Sequence, residues 1–251
     1  MSQVATKGRG WQGAVLKLLG GDDFELTVTG TEVITESYVR LTFTGGGLLA
    51  KRALHPTMWI RMWFDDAGKL HQRGYTLVDA DPAADTFGVE FAIHDGIAAR
   101  WAQQAQVGDT ITATVMGSKF TMPGEEVRGW IIAGDPASLP AINSLLDAID
   151  ASARPETPAT LWLEYQHESD KSLPLRARAH DTVHWIARAR DGAALVDAVR
   201  ASAFAADDHF GWVALDSVST RAVSAALKNE YGIPKKSLKA QAYWIPGKSF
   251  A

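Results

Sequence analysis

A change of grammar near residues 122–127 constrains this chain more than any other feature. From Phe24 to about Phe120 the sequence reads almost wholly as strand; beyond Met122-Pro123-Gly124 it reads as strands alternating with helices. In the first half, Phe24–Thr29, Ser37–Thr44, Thr57–Phe64, Gln72–Val78, Thr86–Ile93 and Thr110–Val115 are short and rich in Val, Ile, Thr, Trp and Phe. Gly45-Gly46-Gly47, Asp65-Asp66-Ala67-Gly68, Asp79-Ala80-Asp81-Pro82 and Gly108-Asp109 punctuate them as turns. Six such strands predict a small antiparallel barrel or sandwich. One helix is expected inside this run, over Ile97–Gln106.

The second half predicts strands at Trp130–Ala133, Thr160–Tyr165, Thr182–Ala187, Phe210–Leu215 and Gln241–Ile245. Helices are expected at Ser138–Ile149, Ala193–Phe204 and Thr220–Glu230. Alternation of this kind argues for a doubly wound parallel sheet covered on both faces. Ligands of such sheets sit at the carboxyl ends of strands, here Gly134-Asp135 and Asp216-Ser217. The second half contains no G-x-G-x-x-G. The expected organisation is therefore an N-terminal segment (1–21, with a short helix ending at Gly20-Gly21), a barrel domain (22–124) and an α/β domain (125–251).

Composition narrows the chemistry. The chain has 251 residues and no cysteine, which excludes disulfides, thiol catalysis and thiolate-held clusters. Redox chemistry, if any, must come from a bound organic cofactor or a non-thiolate metal. A net charge of −4 disfavours a nucleic-acid binder. No stretch has the length of a membrane span, and no signal peptide is read, so the expectation is a cytoplasmic protein. Two histidines, His180 and His184, have metal-ligand spacing only on a helix. Thr182–Ala187 reads as a strand, where they lie about 13 Å apart, and no metal site is expected. Ser138 and Ser217 lack His–acid partners, and no catalytic dyad is expected.

One strand carries chemistry. In Arg73-Gly74-Tyr75-Thr76-Leu77, alternation puts Arg73, Tyr75 and Leu77 on one face and Gly74 and Thr76 on the other. A cation and a flat ring then stand about 7 Å apart, with Gly74 leaving room for close approach. Such a strand suits a ligand bearing both a phosphate and an aromatic ring system. Downstream, His94-Asp95-Gly96 leads into the Ile97 helix, a turn whose free N–H groups and helix dipole point at one anion site.

With these residues in hand, the chain from about Phe24 onward resembles the siderophore-interacting proteins, flavin-dependent ferric-siderophore reductases of the ferredoxin-reductase-like superfamily. The family's R-x-Y-[ST] is matched by Arg73-Gly74-Tyr75-Thr76. Its His-Gly…Trp-Ala…Gly-Asp run is similar to His94-Asp95-Gly96, Trp101-Ala102 and Gly108-Asp109. Gly117-Ser118, Ala133-Gly134-Asp135 with Leu139-Pro140-Ala141-Ile142, and Ala242-Tyr243-Trp244 followed by Gly247-Lys248 resemble further family motifs. The chain departs from the pattern at Ile97-Ala98-Ala99, at Asp135-Pro136-Ala137 and at Leu215-Asp216.

The resemblance implies a cytoplasmic FAD enzyme that reduces Fe(III)-siderophores and so releases Fe(II). FAD would be held by Arg73, Gly74, Tyr75, Thr76 and Leu77, by His94, Gly96, Ile97 and Ala98, and by Gly117 and Ser118. The electron donor would be NADPH or NADH at Gly134, Asp135 and Ser138, or a ferredoxin. Residues 228–251 hold five lysines and one acid, a local charge of +4. Lys248, with Lys235, Lys236 and Lys239 behind it, is the expected attractor of anionic ferric siderophores. Two other readings stay open: a general NAD(P)H:flavin or ferredoxin-type reductase, and a non-catalytic flavin or ferric-siderophore binding protein.

Overall fold

The computed structural model describes residues 21–115, 120–124 and 126–247. The segment expected to form the first short helix, together with Gly117, Ser118 and Lys248, lies outside the described residues. The chain divides into two compact units, one ending at Phe120 and the other beginning at Thr121.

In the first unit, β1 (Asp22–Thr35) and β2 (Tyr38–Thr44) form a hairpin, followed by a single helical turn, α1 (Leu48–Lys51). Next come β3 (Trp59–Asp66), β4 (Lys69–Thr76), β5 (Val78–Asp81) and β6 (Thr86–Ala92). Helix α2 (Ile97–Gln104) and strand β7 (Thr110–Val115) complete the unit. The strands make one antiparallel sheet in the order β4-β3-β7-β1-β2-β6-β5.

Among the described residues the sheet thus has seven strands, not six, and the sequence-based strand Gln72–Val78 is broken. Leu77 is 6% exposed and donates its backbone N–H to the Met58 carbonyl at 2.9 Å. Asp79 then turns the chain with a positive φ of 46°, so part of the expected turn at Asp79–Pro82 becomes β5. β4 and β5 are separated by one residue yet form opposite edges of the sheet. Seven flat strands would hold those edges about 29 Å apart, whereas one residue spans about 3.4 Å. The sheet therefore curls until its edges meet at Leu77, a half-barrel left open rather than a closed barrel. Its interior is an apolar cluster including Leu26, Leu41, Phe43, Ile60, Met62, Phe64, Phe87 and Phe91. Trp101 docks α2 onto it through Phe64 (ring centroids 5.6 Å apart) and Phe43 (6.5 Å).

The second unit alternates as expected: β8 (Gly129–Gly134), α3 (Leu139–Asp150), β9 (Ala159–Tyr165), β10 (Thr182–Ala187), α4 (Ala193–Ala201), β11 (His209–Ala214), α5 (Ser217–Asn229) and β12 (Leu238–Ala240). All pairings are parallel, in the order β10-β9-β8-β11-β12. Strand order reverses between β8 and β11, so right-handed crossovers put α3 on one face and α4 and α5 on the other. Packing agrees: α4 and α5 share a cluster with Ile131, Ala133, Trp162, Val213 and Leu215. The last strand is earlier and shorter than the Gln241–Ile245 expectation. Regular pairing with β11 stops at Ala240. Beyond it, Gln241 and Tyr243 donate N–H groups to the Val213 and Leu215 carbonyls, and Trp244 makes a single bridge to Asp216.

Candidate functional site

In the first unit the sequence-predicted residues converge on β4 and the start of α2. β4 pairs only with β3, so its other side is a free edge. Leu77 points its N–H toward β3; by alternation the N–H groups of Gly74 and Thr76 face the open edge. Arg73 is half-buried and makes one local hydrogen bond, to the Gln72 carbonyl at 2.7 Å. Among the described residues no carboxylate pairs with it. Tyr75 is partly exposed, its ring tilted against Phe91 (4.5 Å) and edge-on to Phe64 (6.2 Å). Burial pushes its phenol pKa up, against the pull of Arg73, so the ring stays neutral.

His94 stands close enough for Arg73 to act on it. Burial first, then Arg73, lowers its pKa against the opposing pull of Asp95, and the ring is neutral near pH 7. Its imidazole lies directly over Gly96, leaving no space for a Cβ there. Gly96 is the N-cap of α2 and supplies no side-chain cap, so the N–H groups of the first turn, at Ile97 and Ala98, are uncapped by side chains. A cation without a carboxylate, a half-exposed ring, open-edge N–H groups and an uncapped helix start fit a flavin dinucleotide. One expectation needs correcting. Gly74 does not hold open space for a ligand: an added Cβ would lie 3.2 Å from the Trp59 indole, which covers that position.

In the second unit, Gly134, Asp135 and Ser138 lie at the carboxyl end of β8, beside the point where strand order reverses. Ser138 is fully buried. The Asp135 N–H donates to Ser138 Oγ (2.9 Å), and the Ser138 N–H donates to Asp135 Oδ1 (3.0 Å). The other Asp135 oxygen accepts from Trp244 Nε1 at 2.7 Å. Burial raises the Asp135 pKa, opposed by these donors and by Arg188.

Around this turn the strand ends assemble a group that sequence reasoning missed. Arg188, just past β10, pairs with Glu164 on β9 and with Asp216 after β11 (3.3 Å). Its guanidinium also lies 4.8 Å from the Trp244 ring. Asp216 caps α5, accepting from the Val218 N–H (2.8 Å), the Ser219 N–H (3.0 Å) and Ser219 Oγ (2.6 Å). Burial works against its charge, but these donors and Arg188 outweigh it and hold the pKa below the usual range. Glu164 goes the other way. Burial raises its pKa, Asp135 and Asp216 add to the rise, Arg188 opposes it, and Oε1 is buried without a partner among the described residues. The position of Arg188 at the carboxyl end of a parallel strand was the signal available in the sequence.

Along α5 and the segment after β12 runs a groove of about 520 Å³, lined by Ser217, Thr220, Arg221, Ser224, Lys228 and two alanines. Lys235, Lys236 and Lys239 are near it in sequence, on a 3₁₀ turn and on β12. No helix among the described residues is long and apolar enough to cross a membrane.

An antiparallel half-barrel followed by a five-stranded parallel sheet is the ferredoxin-reductase-like fold. The ferredoxin–NADP⁺ reductase of Plasmodium falciparum shares it, with a TM-score of 0.66 over 88% of this chain and 97% of that one, at 12% identity. Within that class, the chain belongs to the siderophore-interacting protein family. The family's FAD-binding domain matches residues 30–117, and its siderophore-interacting protein domain matches residues 127–247. The structure of the siderophore-interacting protein from Acinetobacter baumannii is similar with a TM-score of 0.77, at 20% identity, over 91% of this chain and 92% of that one. The mycobactin import ATP-binding/permease protein IrtA of Mycolicibacterium smegmatis is 32% identical over 247 residues, 96% of this chain. This chain spans only 28% of that protein's length. The NADPH-dependent ferric-chelate reductase of Escherichia coli is 25% identical over 166 residues, covering 65% of this chain and 63% of that protein.

Proposed function

We propose that this protein is an FAD-dependent reductase of ferric siderophores, with the flavin on the open edge of β4. The carrying observation is the convergence there of Arg73, without a carboxylate partner among the described residues, with half-exposed Tyr75 and the uncapped start of α2. Family membership and the ferric-chelate reductase among the relatives support the reading. Arg73 forks onto a phosphate, and Tyr75 packs against the ring system with Phe91 behind it. The N–H groups of Gly74 and Thr76 meet the ring edge. Leu77, in the core, anchors the strand. His94, Gly96 and the first N–H groups of α2, at Ile97 and Ala98, take the pyrophosphate. Gly117 and Ser118 complete the proposal from outside the described residues.

The chemistry that FAD would supply there is two-electron reduction by a pyridine nucleotide, or reduction by a ferredoxin, and one-electron transfer onward to Fe(III). Hard oxygen ligands hold Fe(III) better than Fe(II), so reduction loosens the chelate without a protein acid or base. Gly134, Asp135 and Ser138 remain the proposed place for NADPH or NADH. Their side-chain polar atoms are engaged with one another and with Trp244, so a nucleotide there would rest on other groups of the strand end, and a reduced ferredoxin stays the alternative donor. Lys235, Lys236, Lys239 and Lys248 are proposed to attract the anionic substrate.

Purified protein is expected to be yellow, and Arg73→Ala to lose the flavin. Anaerobic mixing with NADH, NADPH or reduced ferredoxin identifies the donor, and a panel of ferric siderophores should reoxidise the flavin. A colourless protein that takes up no flavin refutes the proposal. Bleaching without reoxidation by any siderophore points to a general reductase.

A further inference from the structure

The outer face of the β3–β4 hairpin, opposite the face that carries Arg73 and Tyr75, holds a second cation in an unusual setting. Arg61 is half-buried on β3, with its guanidinium 4.4 Å from the Trp59 ring centroid. Trp59 in turn lies against Gly74, where a Cβ would come within 3.2 Å of the indole. Backbone, indole and guanidinium are thus stacked in three layers, and the glycine of the flavin motif is what lets the stack sit so low.

Cross-strand, Arg61 stands between Gly74 on β4 and Thr114 on β7. The nearby carboxylate, Asp23, accepts from the Thr114 hydroxyl at 2.6 Å, and no carboxylate pairs with Arg61 among the described residues. Burial lowers the Arg61 pKa without a compensating anion. Partly desolvated charges in folded proteins are ordinarily paired. Here the guanidinium is held over the indole, while among the described residues its hydrogen-bonding fork carries no protein oxyanion.

We infer that Arg61 on Trp59 is a seat for an anionic chelate bearing aromatic rings, the catecholate or phenolate class of ferric complex. A guanidinium fork matches oxyanions in geometry, and its face accepts an aryl ring as it already accepts an indole. Neutral hydroxamate complexes offer neither net charge nor rings. The inference rests on the reductase reading for the identity of the ligand. It also gives that reading a place for the substrate, because Arg61 is the direct cross-strand partner of Gly74. The Arg61 backbone lies one strand spacing, about 5 Å, from the strand proposed to carry the flavin, and a chelate seated on its guanidinium stands further out on that face.

Gallium(III) mimics Fe(III) in size and charge but accepts no electron under these conditions, so binding can be measured apart from turnover. Titration calorimetry of the whole protein with a hexadentate gallium(III) tris-catecholate, and with a neutral gallium(III) tris-hydroxamate, makes the comparison. The parent is expected to prefer the catecholate. Arg61→Met should weaken catecholate binding about tenfold or more and leave the hydroxamate unchanged. Arg61→Lys, which keeps the charge but not the fork, should fall between. Flavin absorbance and the melting temperature of each variant, measured alongside, report cofactor loading and folding. If Arg61→Met, or Trp59→Leu should that variant fold better, binds the catecholate complex as tightly as the parent, the seat is elsewhere. A parent that shows no preference for the catecholate overturns the inference equally. Loss of yellow colour in the parent speaks against the reductase reading instead, and these titrations distinguish the two.

Discussion

Replacing Arg188 by Met tests how the strand ends of the second unit are held. The guanidinium side chain is 15% exposed, and it faces Glu164 and Asp216, whose side chains are 2% and 0% exposed. Removing one partner of a buried ion pair costs roughly 3–5 kcal/mol, because the remaining charge is left in low dielectric. Asp216 keeps its donors from Val218 and Ser219, so most of the penalty falls on Glu164, whose Oε1 already lacks a partner among the described residues. Loss of the Trp244 stack adds to it. About 3 kcal/mol at pH 8 is the expectation.

Glu164 can relieve the strain only by taking a proton. Its folded pKa is already raised, and losing Arg188, which opposes the rise, raises it further. A carboxyl group with a folded pKa above the unfolded one stabilises the fold fully below the unfolded value, and that contribution is lost as pH climbs through the folded value. The variant is therefore penalised less at pH 5 than at pH 8, by about 1.4 kcal/mol for each unit of additional rise that lies between them. Urea unfolding of parent and variant at both pH values measures this. Adding Glu164→Gln to Arg188→Met should recover part of the loss at pH 8 and little at pH 5. A variant within about 1 kcal/mol of the parent at both pH values, or one more destabilised at pH 5, refutes the account.

Gly134→Ala should be among the most disruptive small substitutions, costing about 1–3 kcal/mol, because the added methyl sits about 2.5 Å from Ile142 Cδ1 and against Ser138 Oγ; calorimetric melting checks it. Tyr231→Phe removes a buried hydrogen bond to the Val199 carbonyl at 2.6 Å and leaves that acceptor only the longer bond from the Ser202 N–H at 3.3 Å, so a loss of about 0.5–1.5 kcal/mol is expected in denaturant. Reversing Lys235, Lys236 and Lys239 to Glu should raise the apparent KM for anionic ferric siderophores at low ionic strength and progressively less as salt screens them. Flavin content should stay the same, and a KM unchanged at every salt concentration refutes the attraction.

What the sequence determined by itself is whatever depends on local period and local turn chemistry. The switch from period-two segments to alternating strands and helices near residue 122 was readable because side-chain alternation in a strand and the helical stripe of Leu139, Ile142, Leu145 and Leu146 are properties of neighbouring residues. The strand bearing Arg73 and Tyr75, and the Gly96 entry to α2, were readable for the same reason. The tertiary structure alone decided which residues meet across strands. Trp59 fills the space beside Gly74 because β3 pairs with β4 in one register, and no pattern within Arg73–Leu77 carries that information. Leu77 breaks its strand because the curl of a seven-stranded sheet brings opposite edges to a single residue. Arg188, Glu164, Asp216, Asp135 and Trp244 come from separate segments and meet only where parallel strands end together. Their charges and protonation follow from burial, which exists only once those segments have packed.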